Sequence, residues 1–108
     1  MRCQINLEPR GLTARRALDA GAHGVLCPLI YSVEDAKKLV DSAKFPPRGR
    51  RGFGSPFSMG AFDAKGDLSG LDYMQNANDN LLTMVQIETK EALDAVEQIA
   101  KVDGIDVL

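Results

Sequence analysis

Apolar positions along this chain recur with two periods, and the periods alternate. Val33, Ala36, Leu39, Val40 and Ala43 fall on one stripe of a helix. Ser32-Val33-Glu34-Asp35 precedes that stripe and resembles a capping box. Residues 12–20 also read as a helix, with Thr13 as its candidate cap and Gly21 as its stop. Residues 25–30 (Val-Leu-Cys-Pro-Leu-Ile) form a continuous apolar run, the pattern of a strand buried on both faces. Pro28 cannot donate to a sheet ladder, so it belongs at a strand end or a bulge. A second strand is expected over residues 81–87. Thr89 is placed to cap the helix that follows, whose inner face would hold Ala92, Leu93, Val96, Ile99 and Ala100. Residues 104–108 start a third strand, and the sequence stops inside it.

Between these elements lies an irregular stretch, residues 45–70, with three of the five prolines and six of the ten glycines. A loop this long is usually functional or disordered. A short helix, residues 71–78, should follow it. Strands alternating with helices predict βαβ units and a parallel sheet, so the fold class is α/β. About three parallel strands with flanking helices make either a very small open sheet or part of something larger. A complete (β/α)8 barrel takes about 250 residues. The expectation is therefore a partial TIM barrel, one incomplete domain over residues 1–108.

Composition adds mainly exclusions. Hydrophobic content of 44% and charged content of 26% are those of an ordinary globular protein. A net charge of −2 offers no broad basic field for nucleic acid or for a membrane surface. No apolar run approaches the roughly 18 residues of a membrane span, and no basic start followed by an apolar stretch marks a secretory signal. Cys3 and Cys27 form no metal or redox spacing, and Cys27 reads as a small buried hydrophobe. These features fit a cytoplasmic protein.

Candidate chemistry concentrates in Met84-Val85-Gln86-Ile87-Glu88-Thr89. Gln86 and Glu88 are two apart, so on a strand they share a side with Leu82 and Met84 and crown an apolar stack. In a β/α barrel that is the carboxyl end of a strand, where the chemistry sits. A carboxylate there is a candidate ligand for a hard divalent cation. The bland alternative is a solvated strand end, or a charge that favours the positive end of the next helix. His23, the only histidine, sits in a turn before a strand, at the end opposite to the chemistry, and reads as a turn or packing residue.

Arg48, Arg50 and Arg51 lie in the Gly-rich loop. They read either as an anion clamp for a substrate carboxylate or as a solvated loop held by local hydrogen bonds. The same run is similar to an arginine–glycine nucleic-acid segment, but one short copy in an acidic chain is weak support. Gly49, Gly52 and Gly54 follow Pro46-Pro47 and no strand, so they form no dinucleotide fingerprint.

Three segments together resemble the HpcH/HpaI aldolase family. They are Ala17-Leu18-Asp19-Ala20-Gly21-Ala22-His23-Gly24-Val25 with Pro28; Val33-Glu34-Asp35-Ala36 leading to Lys44-Phe45-Pro46-Pro47-Arg48-Gly49-Arg50-Arg51-Gly52; and Ala77-Asn78 leading to Val85-Gln86-Ile87-Glu88-Thr89. They occur in family order with family-like spacing, from about Ala14 to Leu108. The resemblance implies a metal-dependent barrel of the phosphoenolpyruvate/pyruvate type. Such enzymes are carbon–carbon lyases that cleave a 2-oxo-hydroxy acid to pyruvate and an aldehyde, with a divalent ion (Mg2+, Mn2+ or Co2+) stabilising the enolate. It assigns Glu88 to the metal and Gln86 to the neighbourhood of the bound oxo acid; Arg51, which aligns with the arginine of the family's Arg-Gly-x-Gly segment, is a further candidate for substrate binding. It also implies a homo-oligomer.

Departures from the family pattern are informative. The family's second metal carboxylate, an aspartate in a Gly-Pro-x-Asp motif, would fall beyond Leu108. Asp106 comes too early on its strand to replace it, and reads as structural or solvated. The family's substrate-steadying arginine would fall near Ile5, and Pro9-Arg10 does not restore its pattern. Its general-base histidine would lie further upstream. Residues 1–13 therefore match poorly, and the expectation is a fragment with little activity alone. The alternative is a non-catalytic relic that acts by association.

Overall fold

The computed structural model describes residues 2–4, 10–54, 56–63 and 65–108, with side chains from Thr13 onward within those ranges. The elements run β1 (Arg2–Gln4), α1 (Arg10–Asp19), β2 (Gly24–Cys27), α2 (Val33–Ala43), α3 (Phe57–Gly60), α4 (Gly70–Asn80), β3 (Leu82–Val85), α5 (Lys90–Asp94) and α6 (Val96–Ala100). The strands form one three-stranded sheet in the order β1-β2-β3. Both pairings are parallel, with Arg2 opposite Gly24 and Gln4 opposite Leu26, then Gly24 opposite Leu82 and Cys27 opposite Val85. Parallel neighbours require crossovers, and the helices between the strands supply them.

One face of the sheet carries the core. Val25 and Cys27 of β2 and Val85 of β3 pack against Ala14 and Leu18 of α1, Leu39 and Ala43 of α2, Ala92 of α5 and Ile99 of α6. The opposite face presents Leu26, Met84 and Gln86, each half-buried, and Leu82, which is 51% exposed. Alternation along β2 and β3 produces this division. In a closed barrel the second face would be the lumen.

Local chemistry sets the element ends. α1 stops at Gly21, which sits at φ +97°; the Gly21 N–H reaches Leu18 O at 3.0 Å and the Ala22 N–H reaches Ala17 O at 3.1 Å. Those two bonds are a Schellman turn. Pro28 lies just past the end of β2, as expected of a residue without an amide donor. The hydroxyls of Ser32, Ser69 and Thr89 accept the amides of Asp35, Asp72 and Ala92, capping α2, α4 and α5.

Several expectations are corrected. β1 is a strand that no apolar pattern announces. The third strand expected over residues 104–108 is reduced to a single bridge between Met84 and Val107; its pairing begins at Asp106, which leaves the ladder only the last residues of the sequence. α1 starts at Arg10, so Thr13 lies inside the helix rather than capping it. The single helix expected after Thr89 breaks at Ala95, whose φ −102° and ψ 7° leave the helical region. Its buried stripe is Ala92, Ala95, Ile99 and Val102, while Leu93 is 61% exposed. That stripe is also helical in spacing, and packing against the sheet selects it over the bulkier one. The 45–70 stretch is not structureless: it contains α3 and buries Phe45, Arg51 and Ser58. Ile5 and Pro9, together with the side chains of Cys3 and Arg10, lie outside the described residues. No helix among the described residues is long and apolar enough to cross a membrane.

Candidate active site

The register of β2 against β3 sets their carboxyl ends side by side. The Gln86 N–H continues the ladder to Cys27 O at 3.0 Å, and the chain then leaves both strands together. Gln86 is half-buried on the open face of the sheet, and Glu88 follows two residues later, exposed, where Thr89 caps α5. The structure thus brings Gln86 and Glu88 together at the carboxyl end of β3.

A third residue joins them from β2. The Leu29 N–H donates to Glu88 Oε2 at 3.1 Å, across 59 positions of sequence. Leu29 has φ 53°, the positive value that side chains other than glycine rarely adopt. Left-handed backbone at such a residue costs roughly 1–2 kcal/mol and persists only where its surroundings enforce it. Here Pro28 and Ile30 are buried on either side, and Ser32 fixes the start of α2. Nothing in Pro28-Leu29-Ile30 signals this from sequence, because the handedness of one residue is imposed by tertiary structure.

The donor chemistry at Glu88 suits a divalent cation in type but not in number. Hard cations take about six oxygen ligands. Glu88 offers a carboxylate and Gln86 an amide oxygen. Among the described residues no group of three His, Cys, Asp or Glu side chains could hold an ion. A divalent ion at this position would need oxygen donors beyond Glu88 and Gln86.

Arg51 is elsewhere. It is buried, 3% exposed, and its guanidinium donates to Asp19 Oδ1 from Nε at 3.3 Å and from an Nη at 3.0 Å. A further bond reaches the Tyr73 hydroxyl at 3.3 Å, and the Phe45 ring lies 4.6 Å from the guanidinium carbon. Asp19 ends α1, just before the turn that feeds the amino end of β2. Arg51 and Glu88 therefore lie at opposite ends of the sheet, and the structure does not bring them together. The solvated-loop reading of Arg51 is corrected: the guanidinium is desolvated and latched between α1 and α4. Arg48 and Arg50 are exposed and pair with Asp79 at 3.0 Å and Asp41 at 3.7 Å. His23 is exposed, donates from Nε2 to Ala61 O at 2.8 Å and lies against the Phe62 ring, also at the amino end.

Asp106 serves the frame. Its Oδ2 accepts the Thr83 N–H at 2.7 Å and Lys44 Nζ at 3.2 Å. The Asn78 side chain imitates a strand partner, accepting Phe45 N–H at 2.7 Å and donating to Phe45 O at 2.9 Å. Nothing in the sequence marks these roles of Lys44 and Asn78, which stand there only as positions of the family-like segments.

The HpcH/HpaI aldolase/citrate lyase family model matches residues 4–108, starting well before Ala14. The hydroxypyruvate/pyruvate aldolase of Roseovarius nubinhibens is 39% identical over 92 residues, covering 85% of this chain and 34% of that protein. The 2-keto-3-deoxy-L-rhamnonate aldolase of Escherichia coli K12 is 36% identical over 92 residues, covering 85% and 33%. The crystal structure of an HpcH/HpaI aldolase from Desulfitobacterium hafniense DCB-2 superposes with a TM-score of 0.83 at 31% identity, over 98% of this chain and 39% of that one. The chain spans about a third of the length of the curated relatives it matches. Its parallel strands and helices are a part of the TIM-barrel-type fold of those neighbours. By the family match over nearly its whole length, this chain belongs to the HpcH/HpaI aldolase/citrate lyase family.

Proposed function

We propose that these residues are part of an aldolase that cleaves a 2-oxo-hydroxy acid to pyruvate and an aldehyde. Glu88 supplies one ligand to a divalent ion (Mg2+, Mn2+ or Co2+), and Gln86 lies beside the bound oxo acid. The observation that carries this reading is the position of Gln86 and Glu88 just past the carboxyl end of β3, each bonded to the segment at the end of β2, to Cys27 and to Leu29. The names of the relatives, a hydroxypyruvate/pyruvate aldolase and a 2-keto-3-deoxy-L-rhamnonate aldolase, support the reaction class.

In such a cleavage the hydroxyl on C4 loses its proton and becomes the aldehyde carbonyl. The C3–C4 bond breaks, its electron pair passes to C3 and the 2-oxo group, and the enolate so formed takes a proton at C3 to give the pyruvate methyl. A bound divalent ion supplies a Lewis acid for the 2-oxo oxygen. Glu88 contributes a fixed negative oxygen donor. Gln86 contributes an amide that can donate to a carboxylate or an oxo group of the substrate. Arg51 is the remaining candidate for substrate binding; reaching a ligand at Glu88 would require it to leave Asp19. Membership of the family is the ground for expecting a homo-oligomer.

A Mn2+ titration of the 15N-labelled chain tests the ligand role. Line broadening should centre on the amides around Glu88 and Leu29, at millimolar ion for a lone carboxylate. Glu88→Gln should reduce it about tenfold there, whereas Asp106→Asn should not. Equal broadening at residues 86–90 in wild type and Glu88→Gln would refute the assignment.

A further inference from the structure

We infer that the backbone amide of Leu29 is a positioning group for the Glu88 carboxylate. This rests on the reading of Glu88 as a functional carboxylate and goes beyond it, because it assigns the orientation of that side chain to another strand. Glu88 is exposed, and an exposed glutamate ordinarily samples several rotamers. Here one of its oxygens is engaged by an N–H that the chain presents only by turning Leu29 into the left-handed region.

The arrangement has the features of pre-organisation. The strained residue sits at the candidate site, between two buried residues that hold the turn from both sides. Its donor is backbone, so it carries no competing charge and cannot swing away. A carboxylate that accepts one amide keeps acceptor capacity for a second partner. A donor just past the end of β2 thus sets the direction in which a residue just past the end of β3 presents its charge.

Two measurements on the chain, neither requiring a metal or a substrate, decide the matter. The first is hydrogen exchange at the Leu29 amide in wild type, Glu88→Ala and Glu88→Gln. Alanine should speed exchange at Leu29 about tenfold while leaving the Val85 amide, bonded to Val107 O, unchanged. Glutamine keeps an acceptor at the same reach and should restore much of the protection. The second is the side-chain order of Glu88 by 13C relaxation, compared with the exposed Glu91 and Glu97. Wild-type Glu88 should be the most ordered of the three. Leu29→Gly, which accepts the positive φ but loosens the turn, should bring it to their level. Unchanged exchange at Leu29 in Glu88→Ala, or Glu88 as mobile as Glu91 in wild type, would overturn the inference. A failed Mn2+ titration with both of these results intact would overturn the ligand role alone.

Discussion

Lys44 has no exposed surface. It is tolerated there because all three ammonium protons have acceptors: Asn78 O at 3.0 Å, Leu81 O at 2.8 Å and Asp106 Oδ2 at 3.2 Å. Through them it ties the last turn of α4, the entry to β3 and the segment after α6. Removing the cation leaves two carbonyls without their donor and the partly exposed Asp106 carboxylate without its partner, so the cost exceeds that of the lost methylenes. Lys44→Met should lower stability by about 2–4 kcal/mol, read as a lower urea midpoint at unchanged slope. A loss below about 0.5 kcal/mol, the usual range for surface substitutions, would mean that the network carries no net stability. Glu88 is the opposite case: its exposed carboxylate accepts the Leu29 amide from the turn after β2. The two residues separate what holds the fold from what the fold presents.

At the scale of elements, the long Gly- and Pro-rich stretch is held by bonds that composition conceals. The amides of Arg50 and Arg51 reach Asp41 O at 2.7 Å and Lys44 O at 3.0 Å, closing the carboxyl end of α2. Gly49 is needed because a Cβ there would collide with the Val40 and Lys44 carbonyl oxygens. Further along, the Asp63 carboxylate accepts the Leu68 N–H at 2.6 Å and the Lys65 N–H at 3.0 Å. The Leu68 amide, foremost, holds its pKa below the ordinary aspartate value, against the opposing pull of desolvation. A depressed carboxylate contributes order that is present above the unfolded pKa of about 4 and is lost as pH falls through the folded value. Amide signals of residues 65–68 should therefore shift on acidification below about pH 4, and Asp63→Asn should abolish that dependence. Signals unmoved down to about pH 2 would exclude the carboxylate as the holder of this turn. The α2 stripe and the Ser32 and Thr89 caps were legible in the sequence, because local spacing and one hydroxyl suffice for each. β1 was not legible, since Arg-Cys-Gln shows no strand pattern. Nor was the break at Ala95, where no glycine or proline stands. Gln86 and Glu88 could be found from a two-residue spacing. Leu29 and the Arg51–Asp19 pair could not, because each depends on residues brought together from more than thirty positions apart.

The molecule as a whole is a sheet with one finished face. Helices cover Val25, Cys27 and Val85, while Leu26, Leu82, Met84 and Gln86 line a face that in a closed barrel points inward. The candidate site lies at the rim of that face, and among the described residues no group of three acidic, His or Cys side chains stands near enough to hold an ion. Enolate formation from pyruvate requires a polarised 2-oxo group and a base at the methyl, and a single carboxylate with an amide beside it provides neither in full. The 108-residue chain should therefore exchange the pyruvate methyl protons with deuterium no faster than Mn2+ alone at equal concentration. The comparison is made by proton NMR in D2O, with and without protein. Exchange about tenfold above the ion control, abolished in Glu88→Gln, would show that these residues complete a working site, and that a family member can form its enolate with one acidic ligand. Exchange at the control rate would mean that these residues do not form the enolate alone, and on the proposed reading Glu88 would be a ligand whose chemistry depends on a second carboxylate.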